Sequence, residues 1–417
     1  MTVASPSWVE HCIWWHVYPV GFLGAPVRDG HDEVPRLRRL IGWLDYAVEL
    51  GVSGIALGPV FASETHGYDT VDHSRIDPRL GTGADFDALV AACRDRGLRV
   101  QLDGVFNHVG AGHPWFVEAL AEGPDSRYAR FFRIDWAADG GPRADDFEGH
   151  GSLVALDHRT PEVAEHVVSV MTHWLDRGID SWRLDAAYAV APEFWASVLP
   201  AVRQRHPGSW TVGEVIHGDY AAVVAATGLD SVTQYELWKS IWSSLEDRNF
   251  FELDWTLSRH GELLEHVLPL TFVGNHDVTR IASRVGAGGA VLALVVLATV
   301  GGVPSVYYGD EQAFTGVKEE RLGGDDDVRP AYPAEPGQLA EWGGWMHRVH
   351  QQLLGLRRRH PWLVRARTEQ VELSNTRYVY RTCSADGEES LTVELDVTDT
   401  PRAAVRDAAG NELFAYR

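Results

Sequence analysis

Short apolar runs alternate with longer amphipathic ones along nearly all of this 417-residue chain, and that rhythm most restricts the folds open to it. Residues 13–18, 54–60, 98–106, 179–185, 210–214, 229–235, 270–273 and 303–308 read as strands. Between them, residues 33–50, 85–96, 161–177, 192–205, 289–299 and 342–359 carry helical spacing, with further helical material up to residue 267. Punctuation agrees: Pro161 falls in a first turn and Gly178 follows the end of that helix. About eight β-then-α units in succession predict an α/β protein, a (β/α)₈ barrel. A doubly wound sheet would need a glycine-rich phosphate loop after its first strand, and Pro19-Val20-Gly21-Phe22 does not supply one. Residues 109–157 break the rhythm with turn residues, aromatics and charges, and read as a small domain inserted after the third strand. Residues 1–108 and 158–361 then form the barrel. From 362 to 417 alternating strands (368–373, 378–382, 390–395) predict an antiparallel β domain.

Composition excludes several roles. A net charge of −22 offers no basic face to nucleic acid or to an anionic membrane surface. The most apolar stretch, around residues 290–300, is followed by glycines and a proline and reads as a buried helix too short to span a bilayer. Three scattered cysteines make no disulfide framework, and residues 1–10 show no secretory pattern, so a cytoplasmic protein is expected. The 16 Trp supply flat faces that suit sugar rings, although most tryptophans serve as core.

Polar residues gather at the predicted strand ends. The third ends Asp103-Gly104-Val105-Phe106-Asn107-His108, the fourth Arg183-Leu184-Asp185, the fifth Gly213-Glu214-Val215 and the seventh Asn275-His276-Asp277. In a barrel these are the C-terminal strand ends, the face where catalytic residues sit. Arg183 and Asp185, two apart in a strand, point to one side, where the guanidinium is expected to keep Asp185 ionised. Crowding Asp185, Glu214 and Asp277 together would raise one carboxyl into the range of a proton donor. Singly each piece has an ordinary structural reading; four in one register do not.

These residues carry a resemblance. Asp103-x-x-x-Asn107-His108, Gly178-x-x-x-Trp182-Arg183-x-Asp185, Gly213-Glu214-Val215 and Phe272-x-x-Asn275-His276-Asp277 resemble the four ordered motifs of the α-amylase superfamily. His66-Gly67-Tyr68-Asp69, Ile76-Asp77-Pro78-Arg79-Leu80-Gly81 and Tyr307-Tyr308-Gly309-Asp310-Glu311 agree with it. The resemblance implies a retaining α-glucoside hydrolase or transglycosylase acting on α-glucan oligosaccharides. It assigns Asp185 as nucleophile, Glu214 as general acid/base and Asp277 as the third carboxylate. It further implies that Arg183 orients Asp185, that His108 and His276 bind the sugar at the cleaved position, and that Tyr68 stacks on its ring. Asp103 would support the site.

Residues 153–157 and the segment Gly324-Asp325-Asp326-Asp327-Val328-Arg329-Pro330 resemble the neopullulanase and cyclomaltodextrinase-like branch, which adds Arg329 to the substrate-binding set. Ala186 is similar to α-1,4-acting members. Many relatives hold a structural calcium through the first-motif asparagine, an aspartate of the inserted domain and a histidine four residues after the nucleophile. Here Asn107 and Asp157 stand, but position 189 is alanine, so neither that metal nor any cofactor is expected. Hydrolysis is the first expectation, transfer or isomerisation of α-glucosides the alternative, and a non-catalytic scaffold the third.

Overall fold

Eight parallel strands encircle a filled axis in the computed structural model, which describes residues 5–28, 30 and 32–417. They are β1 (Trp14–Val17), β2 (Gly54–Leu57), β3 (Arg99–Gly104), β4 (Ser181–Leu184), β5 (Trp210–Gly213), β6 (Ser231–Val232), β7 (Leu270–Phe272) and β8 (Val303–Tyr307). They pair in the order β6-β5-β4-β3-β2-β1-β8-β7. A bridge from Thr233 to Leu270 brings the two ends together, with the Gln234 amide 2.9 Å from the Leu270 carbonyl. Closure is narrow there because β6 is only two residues long. Helices cover the outer face, so most strands are buried along their whole length, which is why they read as continuous apolar runs.

Register sets the height of the polar residues. Arg183 on β4 lies opposite Asp103 on β3, and Leu184 lies opposite Gly213 on β5. One residue further on, Asp185 and Glu214 therefore stand level at neighbouring strand ends. The opposite end of the barrel is closed by aromatics: Trp14 and Trp210 stack with centroids 6.4 Å apart, and Trp8 meets both edge-on. Gly54 is dictated by this packing, since a Cβ there would sit 2.5 Å from the Trp14 ring. Trp14, Trp15, Trp43, Trp174, Trp182, Trp195 and Trp210 are fully buried, the core role expected of most tryptophans.

Three elements differ from the sequence reading. The helix expected over 33–50 is two, Leu37–Ile41 and Leu44–Leu50, interrupted at Gly42 and Trp43. A hairpin, Phe61–Ser63 with Thr70–Ile76, went unread because Asp72, Ser74 and Arg75 mask its alternation. The helical stretch expected to start at 289 runs Ile281–Thr299, but as two helices that meet at a non-helical Gly286 (φ 71°), the apolar one following the kink. Taken as one stretch it is long and apolar enough to cross a bilayer by length and composition alone, yet the kink leaves no unbroken helix of that length. Two-thirds of its apolar window is buried, and its core residues join Tyr380, Leu391, Val393 and Val405 in one apolar cluster. The buried Arg357 donates to the Ala298 and Val300 carbonyls at its end.

That cluster is built on the C-terminal sheet, five antiparallel strands in sequential order: β9 (Arg367–Leu373), β10 (Arg377–Cys383), β11 (Ser390–Asp396), β12 (Arg402–Asp407) and β13 (Glu412–Tyr416). Between β3 and β4 the chain forms a three-stranded sheet of His108–Gly110, Asp146–Phe147 and His150–Ala155, a helix Pro114–Glu122 and a small hairpin. His108 therefore belongs to the first strand of that excursion. The described cysteines, Cys12, Cys93 and Cys383, are all free thiols.

Candidate active site

Arg183 is the hub. Its Nη1 donates to both carboxylate oxygens of Asp103 (2.7 Å each) and to Asp185 Oδ1 (3.1 Å). Its Nη2 lies 2.7 Å from Glu214 Oε1. All four side chains are buried, so one cation faces three carboxylates in a water-poor place. Charged hydrogen bonds of this kind are the strong ones, yet a single guanidinium is divided three ways.

Burial and the charge of Glu214 push the Asp185 carboxyl well above the ordinary range, with Arg183 acting against them. Arg183 lowers Asp185 as expected, but burial and the charge of Glu214 outweigh it, so the expected net lowering of Asp185 is not found. Burial raises Asp103 as well, again opposed by Arg183. Glu214 is surrounded by donors: besides Arg183, the Tyr235 hydroxyl reaches Oε1 (3.1 Å) and the Ala186 amide reaches Oε2 (2.9 Å). Ala186 adopts a left-handed conformation (φ 45°). Tyr235, missed by the sequence reading, is itself held by Asn275 Nδ2 (2.9 Å). Its only signal was its place just beyond the sixth strand.

Asp277 lies just beyond the end of β7, a third of its side chain exposed. Burial would raise its carboxyl, but His276 and Arg329 outweigh that and hold it well below the usual carboxylate range. His276 Nε2 is 2.9 Å from Asp277 Oδ2, and Arg329 Nη2 is 2.9 Å from Oδ1. Arg329 also donates through Nε to the His276 carbonyl (2.9 Å) and grips Asp325 (3.1 Å). The Tyr68 ring lies parallel to His276 with centroids 5.3 Å apart. Its hydroxyl donates to Asp103 (3.2 Å) and touches His276 Nε2. Gly67, at φ 94° and pressed against Pro59, makes the turn that delivers Tyr68. Tyr18, also unanticipated, stacks parallel to His276 at 5.9 Å and carries Arg329 over its ring at 4.8 Å.

The structure therefore brings Asp103, Arg183, Asp185, Glu214, Tyr68, His276, Asp277 and Arg329 to one end of the barrel. His108 is placed differently from a free ligand-binding group. Its Nε2 faces the Tyr68 carbonyl (3.1 Å) and its Nδ1 faces Asn107 (3.1 Å), and burial lowers it to about 4, so the ring is neutral.

Two further motifs are braces. Arg79 is fully buried and ties Asp77 (2.7 Å) to Ser63 and to the carbonyls of Pro26 and Val27. Arg280 does the same for Asp310 and the Tyr308 carbonyl, and burial, opposed by Arg280, pushes Asp310 up to about 7. The donor set for the superfamily calcium does not fit a cation. Asp157 is held by Arg159 through both oxygens (2.8 Å each), Asn107 by His108, and Ala189 offers no side-chain ligand. Among the described residues no cluster of His, Cys, Asp and Glu is arranged to hold a metal.

With this geometry in place the comparison with known proteins is direct. The profile of the α-amylase catalytic domain matches residues 27–338. The chain belongs to the α-amylase family. It is 31% identical over 364 residues to a cyclomaltodextrinase of Geobacillus thermopakistaniensis, covering 80% of this chain and 60% of that one. A maltogenic α-amylase of Bacillus acidopullulyticus is 30% identical over 344 residues (75% and 58% covered). The chain thus spans about three fifths of the length of these curated relatives. Among solved structures, the ligand-free cyclic α-maltosyl-(1→6)-maltose hydrolase of Arthrobacter globiformis superposes with a TM-score of 0.83 at 26% identity, covering 99% of this chain and 100% of that one. These similarities support the neopullulanase and cyclomaltodextrinase-like branch within that family.

Proposed function

We propose that this chain is a retaining α-glucoside hydrolase acting on maltooligosaccharides or their cyclic relatives. One observation carries the reading: Asp185 and Glu214, level on adjacent strands, are bridged by a single buried guanidinium. A retaining pair must stand roughly 5 Å apart on either side of the scissile bond, and neighbouring barrel strands provide that spacing. Asp185 attacks the anomeric carbon as Glu214 protonates the departing oxygen. Water then enters with Glu214 as base and releases the sugar with its configuration kept. Burial and the charge of Glu214 raise the Asp185 carboxyl; the reaction requires an ionised Asp185 and a proton on Glu214, facing the glycosidic oxygen.

Asp277, held ionised by His276 and Arg329, is assigned the sugar hydroxyls and the developing positive charge, and Tyr68 the apolar ring face. The relatives named for cyclic and maltosyl substrates support compact α-glucans as the substrate class. No metal enters any step. Three free thiols suit a reducing compartment, so we place the enzyme in the cytoplasm.

The test compares the parent with Glu214→Gln on a nitrophenyl α-maltoside. A loss of at least about 10³-fold is expected, the upper part of the range for one acid/base group, with unchanged thermal unfolding. The first product released should be the α-anomer by proton NMR. Equal rates, or a β-anomer, would end the assignment. Products from concentrated maltotriose separate hydrolysis from transfer.

A further inference from the structure

We propose that Glu148 and Tyr188 form a bar across the leaving-group side of the site, restricting it to short or compact α-glucans and excluding polymer threaded through it. The proposal rests on the glycosidase reading above and adds what limits its substrate.

Tyr188 follows the nucleophile by three residues and is 42% exposed. Its hydroxyl donates to Glu148 Oε1 at 2.8 Å, joining the tip of the inserted sheet to the loop that carries Asp185. Its backbone amide donates to the Glu214 carbonyl (3.1 Å). The bar is therefore anchored to the proton donor itself, and the proton donor marks the side on which the aglycone departs. Glu148 reaches across from a strained position: it is a non-glycine residue at φ 54°. The hairpin end is seated by Phe147, whose ring stacks on His108 at 4.8 Å and 20°. Beyond it Gly149 and Gly151 have open space where a side chain would be, so that side of the tip is free of packing. At the same barrel end, in the segments after β7 and β8, Arg329 clamps Asp277 and Asp325, and Arg28 bonds Asp326 (3.0 Å). Side-chain bridges therefore border the site both at the inserted sheet and at the loops after β7 and β8. A sugar chain cut internally needs an open path past both.

The experiment measures kcat/KM on maltotriose and on long-chain amylose for the parent, Glu148→Gly and Tyr188→Phe. Each variant removes one end of the same hydrogen bond. Glycine also suits the left-handed backbone, so Glu148→Gly is expected to unfold at or above the parent's temperature. The amylose-to-maltotriose ratio should rise about tenfold in both variants, the scale of one hydrogen bond to a charged acceptor. Maltotriose hydrolysis by Glu148→Gly should stay within about threefold of the parent, the residual effect of a group outside the reacting set. An unchanged ratio in both variants, or a change in Tyr188→Phe alone, overturns the bar while leaving the glycosidase reading intact. A parent inactive on both sugars overturns the glycosidase reading and the bar with it.

Discussion

Replacing Arg183 with methionine tests the electrostatics on which the site depends. Methionine keeps much of the stem and removes the only cation among Asp103, Asp185 and Glu214. At about 4 Å and an effective dielectric of about 20, one unit charge is worth about 4 kcal/mol, or about three pH units of carboxyl titration. In the variant Asp185 should therefore be raised further by about that amount, and the form with an ionised nucleophile should become about 10³-fold rarer. On a nitrophenyl α-maltoside at pH 7, kcat/KM should fall by about that factor. The acid limb of its pH profile should move alkaline by about three units, with activity recovering about tenfold per pH unit above 7. Stability carries a matching sign. The variant's folded carboxyls titrate above their unfolded values, so their contribution is complete at low pH and is lost as pH rises through the folded range. Urea unfolding should show little cost near pH 5 and a loss approaching about 3–5 kcal/mol at alkaline pH, as for a broken buried pair. A variant that keeps the parent's acid limb, or is equally impaired at every pH, would refute this account and leave Arg183 a geometric brace.

Arg329→Gln should raise KM more than it lowers kcat. The expected loss is about tenfold in kcat/KM, the scale of one charged hydrogen bond, because Asp277 loses its partner at 2.9 Å. Since Arg329 helps hold Asp277 below the usual range, activity in the variant should fail at a higher pH on acidification than in the parent. His350 is buried, and burial lowers it to about 4. Its neutral form contributes stability that is complete above the unfolded value near 6.5 and is lost as pH falls towards 4. Urea unfolding of the parent and of His350→Gln should therefore converge by about 1.4 kcal/mol per pH unit across that window. Parallel pH dependences would show that His350 is not held neutral.

Most of the scaffold was written in local pattern. Strand and helix periods, Pro161 at a helix start and Gly178 after its end yield the order of the barrel units, because period and capping act over a few residues. The R-x-D spacing also announces that Arg183 and Asp185 leave β4 on one side. What escaped local reading depends on contacts between distant segments. The helical stretch Ile281–Thr299 begins eight residues before its apolar part, because a separate short helix precedes the break at Gly286 (φ 71°). The hairpin behind Tyr68 is stabilised by a fully buried Arg79 reaching back to Pro26 and Val27, which no period reveals.

The residues available for chemistry, and the strand ends that bear them, are properties of the amino-acid order alone. The electrostatics around Asp185 are not. They depend on burial, on Glu214 and on a guanidinium divided among three acids, while the Tyr235 hydroxyl and the Ala186 amide hold Glu214 in place; these groups lie 21 to 111 positions from Glu214 along the chain, Tyr235 and Asp103 being the extremes. Side-chain charge is fixed by composition, but its solvation and its neighbours exist only once the barrel has closed.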